Sequence, residues 1–186
     1  MQRREAVQYI SLLLGGTLVG ANSFLTGCKS DTKDKASFDA GDIAFLNEVG
    51  ETILPATATP GAKAANVGQF MTVQVNDCYT EKDQKVFKEG MGKLNDFANK
   101  KFDADFMKLD ATQRHQLLVE LDREQKEAMK VKKDGDPAHY FRMMKELTLL
   151  GYFTSEIGTK QARRYTPVPG RYEGCIPYKK GDKAFA

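Results

Sequence analysis

The side chains that could do chemistry in this chain are few and widely separated. The two histidines, His115 and His139, fall on different predicted helices, and neither belongs to an HExxH pattern. A zinc ion takes at least about three protein ligands, and the sequence offers no obvious further set. Ser155 lies in TSEIG rather than in the GxSxG turn of a hydrolase, so we expect it to cap or end a helix. The sequence therefore predicts neither catalytic residues nor a metal site.

Patterns that hold a redox cofactor are also missing. Covalent haem attachment uses CxxCH, an iron–sulfur cluster uses about four cysteines, and a dinucleotide fold uses GxGxxG after a strand. The chain has three cysteines and none of these patterns. We therefore expect this chain to bind no cofactor of its own.

The charge pattern argues against a nucleic-acid partner. The chain has 28 Lys and Arg residues, 25 Asp and Glu residues and a formal net charge of +3. Charges of both signs are interleaved past residue 30, without a basic block. Such a pattern is typical of solvated helix faces.

Residues 1–27 predict an export signal that is removed from the mature protein. Arg3 and Arg4 precede an apolar run at residues 9–19 that is short for a membrane span. The LTGC sequence that follows resembles a bacterial lipobox, so Cys28 is expected to become the lipidated N-terminus. The paired arginines resemble a twin-arginine signal, which exports folded proteins, and an ordinary secretory signal is the alternative.

Residues 28–37 predict a flexible tether between the lipid and the folded domain. After the cysteine they carry only small or polar side chains. Lys29, rather than an aspartate, follows Cys28, which by resemblance to bacterial lipoproteins implies sorting to the outer membrane. The predicted location is therefore the periplasm of a bacterial cell envelope, with a lipid anchor.

Residues 38–186 predict an all-α domain. Apolar residues recur there at three- and four-residue spacing, and Asp39 and Asp110 stand where helix caps are expected. The last predicted helix is apolar on more than one side, Leu149 and Leu150 included, so we expect it to be the most buried element. The five predicted helices span about residues 39–54, 64–79, 81–102, 110–133 and 137–153. Asp136 is expected to cap the last of them, with Pro137 at its first position.

The C-terminal tail, residues 165–186, is irregular but not simply polar. Its prolines and glycines disfavour a long helix or a central strand. Tyr165, Tyr172 and Ile176 are unusual choices for a solvated linker. The predicted architecture is an all-α bundle of about five helices with this tail packed over it. A partner subunit is the alternative support for the same residues.

Cys78 and Cys175 are the two cysteines that remain after lipidation. Cys78 continues the apolar stripe of the second predicted helix and is expected to point inward. An even pair in an oxidising compartment predicts a disulfide, which would join the tail to that helix. The alternative is that Cys78 is a small buried apolar residue and Cys175 a free thiol.

Several short motifs resemble the gluconate 2-dehydrogenase subunit 3 family. They are ILP at residues 53–55, TPGA at 59–62, GYFTS at 151–155, PG at 169–170 and GC at 174–175. The resemblance extends over residues 38–178. Members are small subunits of membrane-associated, flavin-dependent sugar and sugar-acid dehydrogenases, so the resemblance implies an accessory role.

The resemblance further implies that FAD lies in a large, GMC-type catalytic subunit that usually has no export signal. The small subunit of such complexes is similar to an escort. It binds the FAD-loaded catalytic subunit and provides the export signal with which both cross the membrane. The lipobox departs from members that rely on a cytochrome subunit as anchor, so here Cys28 is expected to tether the enzyme, with a cytochrome as candidate electron acceptor. The residues expected at the partner interface are Tyr152, Phe153, Arg163, Arg164, Tyr165, Arg171 and Tyr172.

A free-standing helical lipoprotein is the alternative function. It would bind a small carbohydrate or another envelope component in a pocket between the helices, without a partner. An enzyme in its own right has little support, because the sequence offers no catalytic constellation.

Overall fold

The computed structural model describes residues 38–168, 170–171 and 173–186. Those residues contain α-helices and short helical turns but no strand, which confirms the predicted all-α bundle. A 3₁₀ turn covers Phe106–Lys108 and a π-helical turn covers Gly158–Ala162. The α-helices are α1 (Ala40–Ile53), α2 (Val67–Cys78), α3 (Glu81–Phe102), α4 (Ala111–Lys130) and α5 (Tyr140–Thr154).

Local capping explains why three helices begin where the sequence predicts. Asp39 and Asp110 each form a capping box, in which the aspartate accepts a backbone N–H of the first turn and the side chain at the third helical position accepts the N–H of the aspartate. Thr80 caps α3 by accepting the N–H of Asp83. Each cap thus satisfies one N–H of the first turn that has no partner within the helix.

Helix α5 lies at the centre of the bundle and packs against each of the other four α-helices. It has more buried residues than any other described helix, which confirms that it is the most buried element. Leu150, however, is 50% exposed, and Leu149 is also exposed. The face towards α2 is formed at Gly151, where an added Cβ would lie 2.6 Å from Cδ1 of the Phe70 ring. The two leucines therefore do not belong to the buried face of α5.

Helix α5 begins at Tyr140, so the prediction that Asp136 caps it and Pro137 opens it is wrong. Residues 131–139 form an irregular connection instead. His139 is the N-cap, because its Nδ1 accepts the backbone N–H of Phe141 at 3.3 Å. The histidine replaces the aspartate as the group that starts the helix.

Helix α2 begins at Val67, later than predicted, because turns occupy residues 62–66. Asn66 closes them with a positive φ of 52°. Asn47 of α1 holds this junction, since its Nδ2 donates to Oδ1 of Asn66 at 3.1 Å and its Oδ1 accepts the N–H of Gly68 at 2.8 Å. A side-chain bridge from α1 thus fixes the start of α2.

Within the part of the chain that the structure describes, no helix combines the length and apolar character that crossing a membrane requires.

Candidate partner-binding surface

Two of the motifs that are distant in sequence meet in the structure. The hydroxyl of Tyr152, in α5, donates a hydrogen bond of 2.7 Å to the backbone carbonyl of Pro60, in the loop after α1. Tyr152 is only 4% exposed. It therefore joins the two segments from inside and is not itself available to a partner.

The loop of residues 55–61 is also held from α1. The Glu51 carboxylate accepts the N–H of Ala56 and the N–H of Lys63, both at 2.9 Å. At Gly61 an added Cβ would lie 2.3 Å from both carboxylate oxygens and 2.6 Å from the backbone nitrogen of Ala56. The backbone atom cannot rotate away, so a larger residue would displace the loop. Residues 55–58 are exposed on top of this support. The loop is thus a fixed surface feature rather than a free connection.

The Tyr152→Phe substitution is expected to lower the free energy of unfolding by about 1 kcal/mol, the usual contribution of one such hydrogen bond. The ring remains packed, but the Pro60 carbonyl loses its donor. Urea unfolding of both proteins measures the difference. Tyr165→Phe is the matched control, because Tyr165 is 48% exposed. A change of equal size in the control would contradict the assigned role.

The chain leaves α5 through a tightly packed turn. Ser155 is the C-cap, as expected, and its hydroxyl donates to the Tyr152 carbonyl at 2.7 Å and accepts the Gly158 N–H at 3.0 Å. Gly158 is buried against that carbonyl, where an added Cβ would lie 1.9 Å from the oxygen. After the π-helical turn, the Arg163 guanidinium lies 4.7 Å from the centre of the half-buried Phe153 ring. This turn fixes the point from which the tail departs.

The tail itself does not pack over the bundle. Every described residue from Arg164 to Ala186 is exposed, so the expected packing is not found. Arg164 joins the two ends of the tail: its N–H donates to the Ala184 carbonyl at 2.8 Å, its carbonyl accepts from Ala186 at 3.1 Å, and its guanidinium lies 4.7 Å from the Phe185 ring. These contacts bring the last residues of the chain back beside the start of the tail.

The predicted interface residues differ in their accessibility. Tyr152 is buried and Phe153 lies under Arg163, whereas Arg164, Tyr165 and Arg171 are exposed. Tyr172 lies outside the described residues. Ile176, which the sequence analysis placed among the tail residues that need support, is also exposed. The sequence analysis left out three further exposed apolar side chains of the tail, although the same reasoning about large apolar groups in a Pro- and Gly-rich segment would have found them. They are Val168, Tyr178 and Phe185.

The two remaining cysteines are free and exposed. Cys78 does not point inward, which corrects the sequence prediction. The buried stripe of α2 runs in four-residue steps through Met71 and Val75 to the half-buried Tyr79, and Cys78 lies beside it. The predicted bond between Cys78 and Cys175 is not formed in this structure and stays a prediction.

The described residues contain no cluster of His, Cys, Asp and Glu that could hold a metal ion.

His115 lines a small pocket of about 190 Å³ between α1, α4 and α5. Asp122 lies in the same pocket, where hydrogen bonds from Lys126 and Lys145 lower its pKa to about 2. Lys145 and Asp122 approach to 2.5 Å. The pair cross-links α4 to α5, and its carboxylate is charged at any pH near neutral.

His139 should make stability depend on pH. Burial lowers its pKa below the ordinary value of 6.5, partly opposed by Glu124 at 3.7 Å, while Lys93 also lowers the pKa and the Tyr140 ring stacks on the imidazole. A depressed histidine pKa means that stability is full above 6.5 and falls as pH drops through that value towards the folded-state pKa.

The His139→Asn variant tests this prediction, because asparagine retains a capping oxygen but does not titrate. We expect the wild-type chain to lose more free energy of unfolding than the variant between about pH 7 and about pH 5. Urea midpoints at the two pH values measure the loss. Equal losses in both proteins would contradict the assignment.

The described residues thus define an all-α protein whose exposed features are a fixed loop and an aromatic tail. The chain belongs to the gluconate 2-dehydrogenase subunit 3 family, whose model matches residues 40–170. The family name implies a subunit of a multi-subunit dehydrogenase complex. No curated protein and no solved structure matches the chain significantly.

Proposed function

We propose that this chain is the non-catalytic small subunit that escorts, stabilises and membrane-anchors a flavin-dependent periplasmic dehydrogenase acting on a sugar, a glycoside or a sugar acid. The observation that carries the proposal is the exposed tail. Large apolar side chains of the tail are 44–81% exposed, although the chain has a bundle of its own on which to bury them. A partner is the remaining support.

Burying a large apolar side chain stabilises a protein by about 1.5–3 kcal/mol. Tyr178 is 75% exposed, and Ile176 and Phe185 are also exposed, so the isolated chain forgoes this stabilisation at several positions. Tyrosine and arginine are common anchors of protein interfaces, and the tail combines both. Burial of these side chains against a second protein would provide the stabilisation that the bundle does not supply.

The proposal divides the work between two subunits, and the family name and the sequence support this division. In the proposal, FAD and the catalytic residues belong to a large GMC-type subunit, and this chain binds no cofactor of its own. Arg3, Arg4 and Cys28 supply export and the lipid anchor in this proposal, and they lie outside the described residues. A cytochrome is the candidate acceptor for the electrons of the complex.

Co-purification tests the proposal. Full-length, tagged protein is purified from gently solubilised membranes of its native host, and the eluate is examined by visible spectroscopy and mass spectrometry. We expect a flavin spectrum and a large subunit in stoichiometric amount. A colourless chain that elutes alone and binds a sugar directly would contradict the proposal and favour the free-standing lipoprotein.

A further inference from the structure

The charges of the chain are unevenly divided between the helical body and its C-terminal end. Residues 38–162 have 17 Lys and Arg against 20 Asp and Glu, a net charge of −3. The basic segment, residues 163–186, has six Lys and Arg against two Asp and Glu, a net charge of +4. The part of the chain that leaves the bundle is therefore positive, and the bundle is negative.

The two regions also differ in how their cations are paired. Eleven of the Lys and Arg residues in the body form ion pairs with carboxylates, among them Arg114 with Glu48 at 2.5 Å and Lys145 with Asp122 at 2.5 Å. Among the described residues, no cation of the basic segment has an ion-pair partner. Its six cations are Arg163, Arg164, Arg171, Lys179, Lys180 and Lys183.

Three of these cations have contacts of another kind. Arg163 and Arg164 lie over the rings of Phe153 and Phe185, each 4.7 Å from the ring centre. Lys183 donates to the backbone carbonyl of Gln161. Stacking orients a guanidinium but leaves the donors at its edge free, and those donors match a carboxylate in a two-point geometry.

We propose that the partner surface that receives the tail is acidic, with Asp and Glu carboxylates placed beside apolar residues. This inference rests on the proposed function and specifies the chemistry of its partner. The unpaired cations of the tail are interleaved with the exposed side chains of Tyr165, Ile176 and Tyr178. The tail therefore offers positive charge and apolar surface together. A complementary surface must offer both, because like charges opposite these cations would be repelled.

A protein surface fits these observations better than a lipid surface. Peripheral binding to anionic lipid commonly uses an amphipathic helix that separates its apolar and basic faces. The described part of the basic segment contains no helix, and its prolines and glycines do not favour one. Its cations and apolar groups alternate along an irregular chain, which suits a shaped protein surface.

The test uses the tagged full-length protein and the flavin-containing large subunit recovered with it from native membranes. We compare the wild type with a variant carrying Arg171→Gln, Lys179→Gln and Lys180→Gln. These side chains are exposed and lie outside the packed core, so folding should not change. The matched control carries Lys100→Gln, Lys132→Gln and Lys133→Gln, which removes the same charge from exposed positions of the body.

We expect binding of the flavin subunit to be about tenfold weaker for the tail variant at about 0.1 M NaCl, because three interface charges are lost. The control should bind as the wild type does. The difference should shrink at about 1 M NaCl, where the Debye length falls to about 3 Å.

Two outcomes would overturn the inference while the proposed function stands. One is equal binding of the flavin subunit by all three proteins at every salt concentration. The other is equal binding of that subunit together with weaker binding of the tail variant to phosphatidylglycerol vesicles, which would assign the cations to lipid. Failure of the wild type to bind any flavin subunit would instead remove the proposed function, and the inference with it.

Discussion

A chain that stops after Arg164 is expected to fold normally and to lose its dehydrogenase partner. All described residues of the tail are exposed, and their contacts with the rest of the chain are a few hydrogen bonds and one ring contact at Gln161 and Arg164. Removing the tail should therefore lower the free energy of unfolding by no more than about 2 kcal/mol. Interface anchors commonly contribute about 2 kcal/mol or more each. Losing several together should weaken binding of the flavin subunit at least about 100-fold.

Urea unfolding and recovery of flavin on the tagged chain measure the two halves of this prediction. The matched control carries Val119→Ser and Val131→Ser, which remove exposed apolar side chains from the body instead. The control should retain the partner. A truncated chain that recovers as much flavin as the full-length chain would contradict the assignment of the tail as the docking surface.

The Gly158→Ala substitution is expected to have the largest effect on stability. An added Cβ would lie 1.9 Å from the Tyr152 carbonyl oxygen and 3.0 Å from the Phe153 Cα. These are backbone atoms of α5, so a side-chain rotation cannot relieve the overlap. Overpacking of this kind costs about 3 kcal/mol. Because Gly158 sets the exit of the chain from α5, partner binding should also weaken.

The Gly92→Ala substitution is the matched control for this prediction. Gly92 lies within α3, and nothing would stand within 4 Å of an added Cβ. Alanine is favoured over glycine in a helix by about 0.5–1 kcal/mol, so this variant should be stabilised. Thermal or urea unfolding separates the opposite signs. A Gly158→Ala protein as stable as the wild type would show that the turn is not packed as described.

Local signals made much of the bundle predictable. The bounds of α3 agree with the prediction because Thr80 caps it and Asp103 ends it in the left-handed region. The start of α5 was missed because two local signals competed. Asp136 followed by Pro137 is a favourable helix start, but the structure uses the His139 side chain, which sequence rules rank low as a cap.

Long-range contacts limited what the sequence could predict about the surface. The sequence does not distinguish a tyrosine near a helix end that faces a partner from one that faces the interior. Only the fold brings Tyr152 to Pro60. The composition of the tail showed that it needs support. It did not show that the bundle would fail to provide this support, because that depends on where the turn at Gly158 directs the chain.

Hydrogen exchange of the tail amides, in the isolated subunit and in the flavin-containing complex, tests the docking surface most directly. We predict rapid exchange of residues 165–186 in the isolated chain, because few of the N–H groups described there have a hydrogen-bond partner. In the complex the exchange of the same amides should be at least about tenfold slower, while the exchange of the α5 amides should be slow in both states. Protection of the tail in the isolated chain, or equal exchange in both states, would contradict the account.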